Sequence, residues 1–370
     1  MSETAAALWL PRDRLQELVE ALRASGRRCV GPRVRDGAIV YDVLTNVADL
    51  PVGVHDVQAP GRYTLDRSGS GRRFAWANGA QALKPLLFAP RQPLWRVVRG
   101  DDGSLQFREQ PDEVEPVAVI GVRACDLAAL ALQDRHFLQA AYADPYYARR
   151  REKLFVVAVG CSHPAATCFC ASTGDGPRPA QGYDILLQEL DEGCVAHAGS
   201  APGRELLASL AITPADEAQL QLARAESERA AAAQTRGLPS RNLRDALWAG
   251  FEHPRWDDVA QRCLSCGNCS AVCPTCFCHS EHDAPALGGG ASEHLREWDS
   301  CFARGHSSLH GFVVRPDTRS RYRQWLTHKL GSWHDQYGRS GCVGCGRCIA
   351  WCPVGIDITE EAAAICAQPS

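Results

Sequence analysis

The chain has 370 residues, a formal net charge of -3, and 45% hydrophobic and 22% charged residues, which is an ordinary composition for a soluble protein. Its length predicts two domains. The near-neutral charge speaks against nucleic-acid binding, and the lack of a run of about 18 apolar residues speaks against a membrane helix. The first residues lack the features of a signal peptide, so eighteen cysteines predict a cytoplasmic protein whose thiols bind metals.

The first elements in chain order are a helix and a hairpin. Apolar residues recur at helical spacing within residues 11–25, and Gly26 follows at the position of a C-terminal cap. Residues 29–34 and 38–44 flank an Arg-Asp-Gly turn, which favours a hairpin. Residues 52–107 mix short apolar runs with many glycines and prolines, and they predict irregular β structure and loops.

Strands and helices then alternate up to residue 239. Residues 117–122 are a continuous apolar run that leads into a helical pattern, and residues 154–160 predict a second buried strand. Residues 184–197 predict a hairpin, and the alanine-rich segment 214–236 predicts a helix. Residues 1–239 are therefore expected to form an α/β domain with a mixed sheet.

The motif C-x2-C-x2-C-x3-C-P occurs twice after this region. Its cysteines are Cys263, Cys266, Cys269 and Cys273 in the first run, and Cys342, Cys345, Cys348 and Cys352 in the second. In bacterial-type ferredoxins such a run binds a [4Fe-4S] cluster, with three close thiolates on one cubane and the fourth Cys on the other cluster. The pattern predicts crossed ligation, in which Cys352 completes the first cluster and Cys273 completes the second. Two one-electron centres at short range predict an electron relay.

Other uses of cysteine explain the two runs less well. A structural zinc site takes four ligands, usually as two separated pairs, and has no use for a third Cys at the same short interval. Cysteines so close together on a tight turn rarely meet the geometry of a disulfide.

The second domain is predicted to be residues 240–370 and mainly α-helical. A helical pattern over residues 243–251 leads into the first run. The segment between the two runs is much longer than a compact two-cluster ferredoxin needs, which favours a helical ferredoxin-type dicluster domain. Within it, the three glycines at 288–290 are expected to be a flexible point.

Two motifs that bind nucleotides are absent from the sequence. No G-x-G-x-x-G opens a helix after a strand, and no G-x-x-x-x-G-K-[ST] occurs. We assign no catalytic residue, and we expect partners to supply the chemistry at both ends of the relay.

Several cysteines lie outside the two runs. One hypothesis is that Cys125, Cys161, Cys168 and Cys170 together hold a further metal or cluster, and the alternative is that they are small buried hydrophobic residues. The same alternatives stay open for three cysteines near the first run, which are Cys276, Cys278 and Cys301. A run of His and Arg over residues 304–329 either neutralises cluster charge, forms a docking face or is a solvated helix face.

The sequence resembles the β subunit of soluble sulfhydrogenases, which are group 3b nickel-iron hydrogenases, and the A subunit of anaerobic sulfite reductase. The resembling stretches are residues 121–127, 168–177, 273–278, 298–301, 328–329 and 341–348. The resemblance implies an N-terminal α/β region, a helical dicluster domain, and electron relay inside a complex. Partner subunits would bind FAD and NAD(P), and a nickel-iron hydrogenase or sulfite reductase module would hold the terminal centre. Residues 1–100 match weakly, so their role rests on position alone.

Three functions from different classes follow. The leading hypothesis is an iron-sulfur electron-transfer subunit with two [4Fe-4S] clusters. The enzymatic alternative is that the chain itself reduces sulfur or polysulfide, at an exposed cluster edge or at an unassigned cysteine. The third is a zinc-binding scaffold without redox activity. The sequence leaves open whether protons, sulfur or sulfite accept the electrons.

Overall fold

The computed structural model describes residues 7–109 and 113–367. The strands are β1 (Leu8–Pro11), β2 (Arg28–Arg35), β3 (Ala38–Val43), β4 (Val54–Ala59), β5 (Arg62–Arg67), β6 (Arg91–Arg99), β7 (Leu105–Glu109), β8 (Val117–Val122), β9 (Leu154–Val159), β10 (Ile185–Glu189), β11 (Gly193–Ala198), β12 (Thr213–Pro214), β13 (His279–Pro285), β14 (Ala291–Trp298), β15 (Ser308–Leu309) and β16 (Phe312–Val313). The helices are α1 (Leu15–Ala24), α2 (Lys84–Leu87), α3 (Ala124–Leu138), α4 (Pro145–Glu152), α5 (Cys170–Thr173), α6 (Ala201–Ser209), α7 (Glu217–Ala232), α8 (Leu243–Ala249), α9 (Arg255–Arg262), α10 (Asn268–Ala271), α11 (Thr318–Thr327), α12 (Trp333–Tyr337), α13 (Arg347–Ala350) and α14 (Ile358–Cys366). A π-helical turn at His328–Ser332 joins α11 to α12.

The predicted mixed sheet is confirmed. It has eight strands in the order β12-β1-β11-β10-β9-β8-β2-β3, in which β10, β9, β8 and β2 pair in parallel and all other neighbouring strands pair antiparallel. The central strands β8 and β9 are apolar throughout because both faces of the sheet are covered. Helices α1 and α6 pack on one face, and α3 and α4 pack on the other.

Most of the predicted local elements are confirmed. The helix at residues 11–25 is α1, with Gly26 at a φ of +79° beyond its end. The first hairpin is β2 and β3, the second is β10 and β11, and the alanine-rich helix is α7. None of the described helices is both long and apolar enough to span a bilayer.

The C-terminal region differs from the prediction because helices are not its only component. Strands β13 and β14 form a long hairpin between α10 and α11, and residues 288–290, predicted to be flexible, lie in its turn. This hairpin joins β6 and β7 in a four-stranded sheet with the order β13-β14-β6-β7. That sheet contains strands from both sides of the predicted domain boundary at residue 239, so the two predicted domains share backbone hydrogen bonds.

The helices of the C-terminal region surround an aromatic core. Trp256 of α9 and Tyr322 and Trp325 of α11 are buried there, with side chains of α8 and α14 around them. Large aromatic side chains contribute most of the apolar area in such a core. This core forms one wall of the space that the two cysteine runs enclose.

The second cysteine run lies against the carboxyl edge of the eight-stranded sheet. The Phe169 amide donates to the Gly344 carbonyl at 2.8 Å. Gly344 and Gly346 have φ angles of +63° and +72°. A Cβ atom on Gly344 would lie 2.5 Å from the Cys170 nitrogen, and one on Gly346 would lie 2.4 Å from the Thr167 carbonyl oxygen. Glycine is therefore required at both positions by backbone conformation and by close approach.

A buried ion pair fastens this contact. The Arg347 guanidinium donates to both carboxylate oxygens of Asp126, at 2.7 and 3.0 Å, and its Nε donates to the Gly79 carbonyl at 2.8 Å. The side chains of Arg347 and Asp126 are 1% and 2% exposed. Attraction by Asp126 raises the pKa of Arg347 although burial opposes it.

We expect Asp126→Ala to destabilise the protein strongly, because it leaves the Arg347 charge buried without its partner. Removing one member of a buried pair costs about 3–5 kcal/mol. The thermal midpoint, measured under anaerobic conditions, should fall by many degrees. Asp335→Ala is the matched control, since Asp335 pairs with Arg244 at the surface and should change the midpoint little. Equal midpoints for the two variants would contradict a role for the pair in holding the regions together.

Candidate metal centre

The two cysteine runs share one local backbone conformation. Ser265 and Gly267 of the first run have φ angles of +52° and +78°, and Gly344 and Gly346 occupy the matching positions of the second run with positive φ. In each run the glycine at the second of these positions, Gly267 or Gly346, precedes a short helix, α10 or α13, which carries the third cysteine. These left-handed residues curl each loop so that its cysteines face inward, as the motif spacing predicts.

The first set of thiols lines an apolar cavity. Five cysteines line it: Cys263, Cys266 and Cys269 of the first run, and Cys348 and Cys352 of the second. The cavity has an empty volume of about 460 Å³, part of it open to solvent. Apolar side chains form its walls, namely Phe302, Tyr322, Trp325, Ile356 and Ile358. The structure thus places Cys352 beside the run to which the crossed pattern assigns it.

Backbone amides point at the sulfur atoms of this set. The Ser265 amide donates to the Cys263 sulfur at 3.4 Å, and the Ile356 amide donates to the Cys352 sulfur at 3.3 Å. Burial raises the pKa of Cys263 and of Cys269, so these groups are neutral as free thiols. A bound metal deprotonates coordinating thiols outright, so the raised pKa values of the free thiols do not prevent metal binding.

The second set contains the three remaining cysteines of the second run and Cys273. Cys273 interacts electrostatically with Cys342, Cys345 and Cys348, and all four are largely buried. The amides of Gly344 and Arg347 donate to the sulfurs of Cys342 and Cys345. The structure therefore brings together the four thiols that crossed ligation assigns to the second cluster.

A buried lysine, which sequence reasoning did not place in the site, contacts this second set. The Lys329 ammonium donates to the Cys273 sulfur at 3.3 Å and to the Thr275 hydroxyl at 2.8 Å. Its side chain is 4% exposed. A hydrogen bond from Cys276, together with the charge of Lys329, lowers the pKa of Cys273 against the effect of burial. The sequence held a signal for this residue, since His328 and Lys329 form one of the stretches of family resemblance.

A second buried lysine lies close by. The Lys84 ammonium donates to the carbonyls of Ser270, Ala271 and Cys273 at 3.2–3.4 Å, and it lies 3.8 Å from the ring centre of Trp298. Only three lysines occur among 40 basic residues of the chain. Two of the three are thus buried beside the cysteine runs.

The cysteines Cys276, Cys278 and Cys301 form a third group near the first run. Cys278 hydrogen-bonds with Cys301 and with His306, which contacts the Asp299 carboxylate at 2.8 Å. The hydrogen bonds with Cys301 and His306 lower the pKa of Cys278 to about 4, and the bond with Cys278 raises the pKa of His306 to about 9. His306 belongs to the His and Arg run and points inward.

The thiols of the two cysteine runs fit cubane clusters better than single ions. Zinc bound by thiolates at about 2.3 Å would hold their sulfur atoms about 4 Å apart. Within residues 7–109 and 113–367, no three His, Cys, Asp or Glu side chains converge as ligands of one ion. A [4Fe-4S] cubane spreads its four thiolates more widely, and the first set surrounds a cavity of matching apolar character.

Comparisons with known proteins agree with this geometry. Residues 262–356 match the family model described as a 4Fe-4S dicluster domain. The β subunit of sulfhydrogenase 2 from Pyrococcus furiosus is 34% identical over 281 residues, which are 74% of this chain and 79% of the relative. The chain belongs to the sulfhydrogenase β-subunit family. The predicted resemblance is confirmed, and with it an iron-sulfur protein of electron transport. No solved structure matches the chain.

Iron content can test crossed ligation in this sulfhydrogenase β-like chain. If Cys263 and Cys352 bind one cluster, either Ala substitution should remove about four iron atoms, and the double variant should lose no more than either single one. Cys194→Ala, in strand β11 far from both runs in sequence, is the control and should keep all its iron. Under local ligation, the double variant would instead lose about eight iron atoms, because Cys263 and Cys352 would belong to different clusters.

Proposed function

We propose that the chain relays single electrons through two [4Fe-4S] clusters in a cytoplasmic, sulfhydrogenase-like complex. Cys263, Cys266, Cys269 and Cys352 would hold one cluster, and Cys342, Cys345, Cys348 and Cys273 the other. The observation that carries the proposal is the apolar cavity that three thiols of the first run share with Cys352. When bound, the clusters supply the one-electron chemistry. We assign no catalytic residue to this chain.

The arrangement of the thiols supports transfer between the two sets. Helices α10 and α13 lie against each other, Cys269 interacts with Cys273, and Cys348 of the second set also lines the first cavity. Thiols of one set therefore lie near those of the other. Such proximity would allow single electrons to pass directly between the two clusters.

Exposure differs between the sets in a way that supports a direction of access. Cys266 is exposed, and its neighbour Leu264 in the cavity wall is 63% exposed. Cys342, Cys345 and Cys273 are buried. We infer that a partner exchanges electrons with the chain at the Cys266 side.

Partner subunits follow from what the sequence lacks and from the family. A hydride carries two electrons, so a flavin must separate them before clusters accept them singly. This chain has no dinucleotide fingerprint, and its relative is named as a subunit of sulfhydrogenase 2. We therefore propose a complex with a subunit that binds FAD and NAD(P) and with a nickel-iron hydrogenase module. A sulfite reductase module is the alternative terminal partner.

One observation favours a second candidate function, reduction of sulfur or polysulfide by the chain itself. Cys276 and Cys278 line a polar cavity with Lys84, Trp298 and Asp299, beside the first run. A thiolate at Cys278, hydrogen-bonded to His306, has the nucleophilic character that attack on a sulfur chain requires. Sulfide production by the isolated chain with an artificial reductant, lost in Cys278→Ala, would support this function.

The potential of one cluster should depend on Lys329. Lys329→Met removes a buried positive charge beside Cys273, which disfavours the reduced, more negative cluster. A hydrogen bond to a charged group is worth about 1.5–3 kcal/mol, or about 60–130 mV for one electron. A redox titration followed by electron paramagnetic resonance should show one midpoint lowered by about this amount. Lys153→Met, at an exposed lysine, is the control and should leave both midpoints unchanged. If neither midpoint shifts in Lys329→Met, the placement of a cluster beside Lys329 is contradicted.

Reduction by NAD(P)H should require the flavin-binding partner. The purified chain alone, mixed with NAD(P)H under anaerobic conditions, should keep its clusters oxidised, because no group in it accepts a hydride. Addition of the flavoprotein should bleach the clusters, and dithionite should reduce them in both samples as the control. Rapid bleaching by NAD(P)H without the flavoprotein would disprove the proposal that a partner subunit accepts the hydride.

A further inference from the structure

Four cysteines of the N-terminal region converge at the carboxyl edge of the eight-stranded sheet. Cys125 lies in the first turn of α3, directly after β8, and Cys161 follows β9. Adjacent parallel strands end at the same edge, so β8 and β9 bring these two residues together. Cys168, in the loop before α5, and Cys170, the first residue of α5, reach the same place.

Three of the sulfur atoms, those of Cys161, Cys168 and Cys170, lie within electrostatic range of one another, and Cys125 packs with Cys170 in one buried cluster. Cys168 interacts with Cys161 and Cys170, Cys170 interacts with Cys161, and Cys125 interacts with Cys170. Cys125, Cys168 and Cys170 are 6–7% exposed. In contrast, two other buried cysteines, Cys29 and Cys194, show no such cysteine neighbours.

N–H groups face three of these sulfurs as they face the cysteines of the two runs. The amide two residues after Cys161, that of His163, donates to its sulfur. The amide two residues on makes the same bond at Cys263, Cys273, Cys342 and Cys345. At the other two sulfurs, the Ala165 amide donates to Cys168, and the Gln234 Nε2 donates to Cys170 at 3.4 Å. Such N–H···S bonds stabilise the thiolates and sulfides of a cluster.

A buried guanidinium beside this group has two nitrogens without a hydrogen-bond partner, although it lies 4.0 Å from the ring centre of Trp76. Arg123 is 2% exposed and lies within electrostatic range of Cys161. Its Nη2 donates to the carbonyls of Phe74 and Trp76, but its Nε and Nη1 have no hydrogen-bond partner. Glu189, a buried carboxylate within electrostatic range, accepts instead from the amides of Arg73 and Phe74. Buried N–H groups of a cation that meet no acceptor are donors that a neighbouring anion would satisfy.

We propose that Cys125, Cys161, Cys168 and Cys170 hold a third [4Fe-4S] cluster. Four thiolates and a cubane form an anion, which the Arg123 guanidinium would face. A single zinc ion fits less well, since in the described part of the chain no three ligand side chains converge at single-ion distances. A cubane binds thiols that lie farther apart than the ligands of a single ion.

The third cluster would extend the relay into the N-terminal region. Cys125 and Cys170 lie within electrostatic range of Cys345, a ligand in the second set, and the Cys168 sulfur lies 3.9 Å from the Cys345 carbonyl oxygen. Each electron that the third cluster gains would be one that the second cluster loses, with no bond made or broken. The α/β region would then carry electrons rather than serve only as a support.

The test is the iron and sulfide content of anaerobically purified protein. Wild type should contain about twelve iron atoms, and Cys168→Ala/Cys170→Ala should contain about eight. Cys29→Ala/Cys194→Ala, a pair of buried cysteines outside the group, is the matched control and should keep about twelve. About eight iron atoms in wild type would overturn the proposal, and so would an unchanged iron content in the Cys168/Cys170 variant. It would also be overturned if wild type contained stoichiometric zinc and this variant had lost that zinc.

Two further measurements keep the proposal testable if the double variant folds poorly. Mössbauer spectra of wild type should show three cubane clusters without any substitution, and only two would overturn the proposal. Arg123→Met should keep the full iron content and lower one midpoint potential, and unchanged potentials would overturn the placement of a cluster beside Arg123. Cys263→Ala/Cys352→Ala should still lose the iron of the first cluster. Absence of the third cluster is therefore distinguishable from absence of the first.

Discussion

The close contact between the loop of the second cysteine run and the carboxyl edge of the sheet is the constraint on which the cluster region depends. Gly344 and Gly346 allow this contact because any Cβ atom there would overlap the backbone of residues 167–170. The next residue, Arg347, turns inward to the Asp126 carboxylate at the start of α3. One short segment thus sets the left-handed turns that aim the thiols and also anchors them to the sheet. The second set of thiols is largely buried as a result, while Cys266 of the first set is exposed.

Buried cations are arranged where the thiol groups gather. Lys329 contacts Cys273, Lys84 caps three carbonyls next to it, and Arg123 lies beside Cys161. Removing a cation from water costs several kcal/mol unless an anion or well-placed acceptors offset it. Arg347 has Asp126 as its anion, whereas Lys329 has mainly sulfur and hydroxyl partners. The positions of these cations therefore mark places where thiolates and clusters would supply negative charge.

Local patterns in the sequence were enough to predict much of the fold. The apolar runs of β8 and β9, the helix α1 and the first hairpin were predictable because each depends on neighbouring residues. The pairing of β14 with β6 was not, since it joins segments almost 200 residues apart, and β13 is too polar to show strand alternation. The cysteine spacing pointed to the crossed sets. It could not show that Lys329 lies beside Cys273, or that Cys125 and Cys161 meet at one sheet edge, because those contacts arise only from tertiary packing.

Two runs of equal spacing and equal backbone conformation need not hold clusters of equal potential, because their surroundings differ. The first cavity has walls such as Phe302 and Trp325, and one cation near it, Arg262, is partly exposed and screened by solvent. The second set has the buried Lys329 ammonium in direct contact. A charge in a dry interior acts more strongly than one at the surface. Direct contact with Lys329 would therefore favour the reduced state of a cluster held by the second set more than Arg262 would favour that of a cluster held by the first. Electrons that enter at the exposed Cys266 side would therefore move inward, toward the sheet edge where the N-terminal cysteines converge.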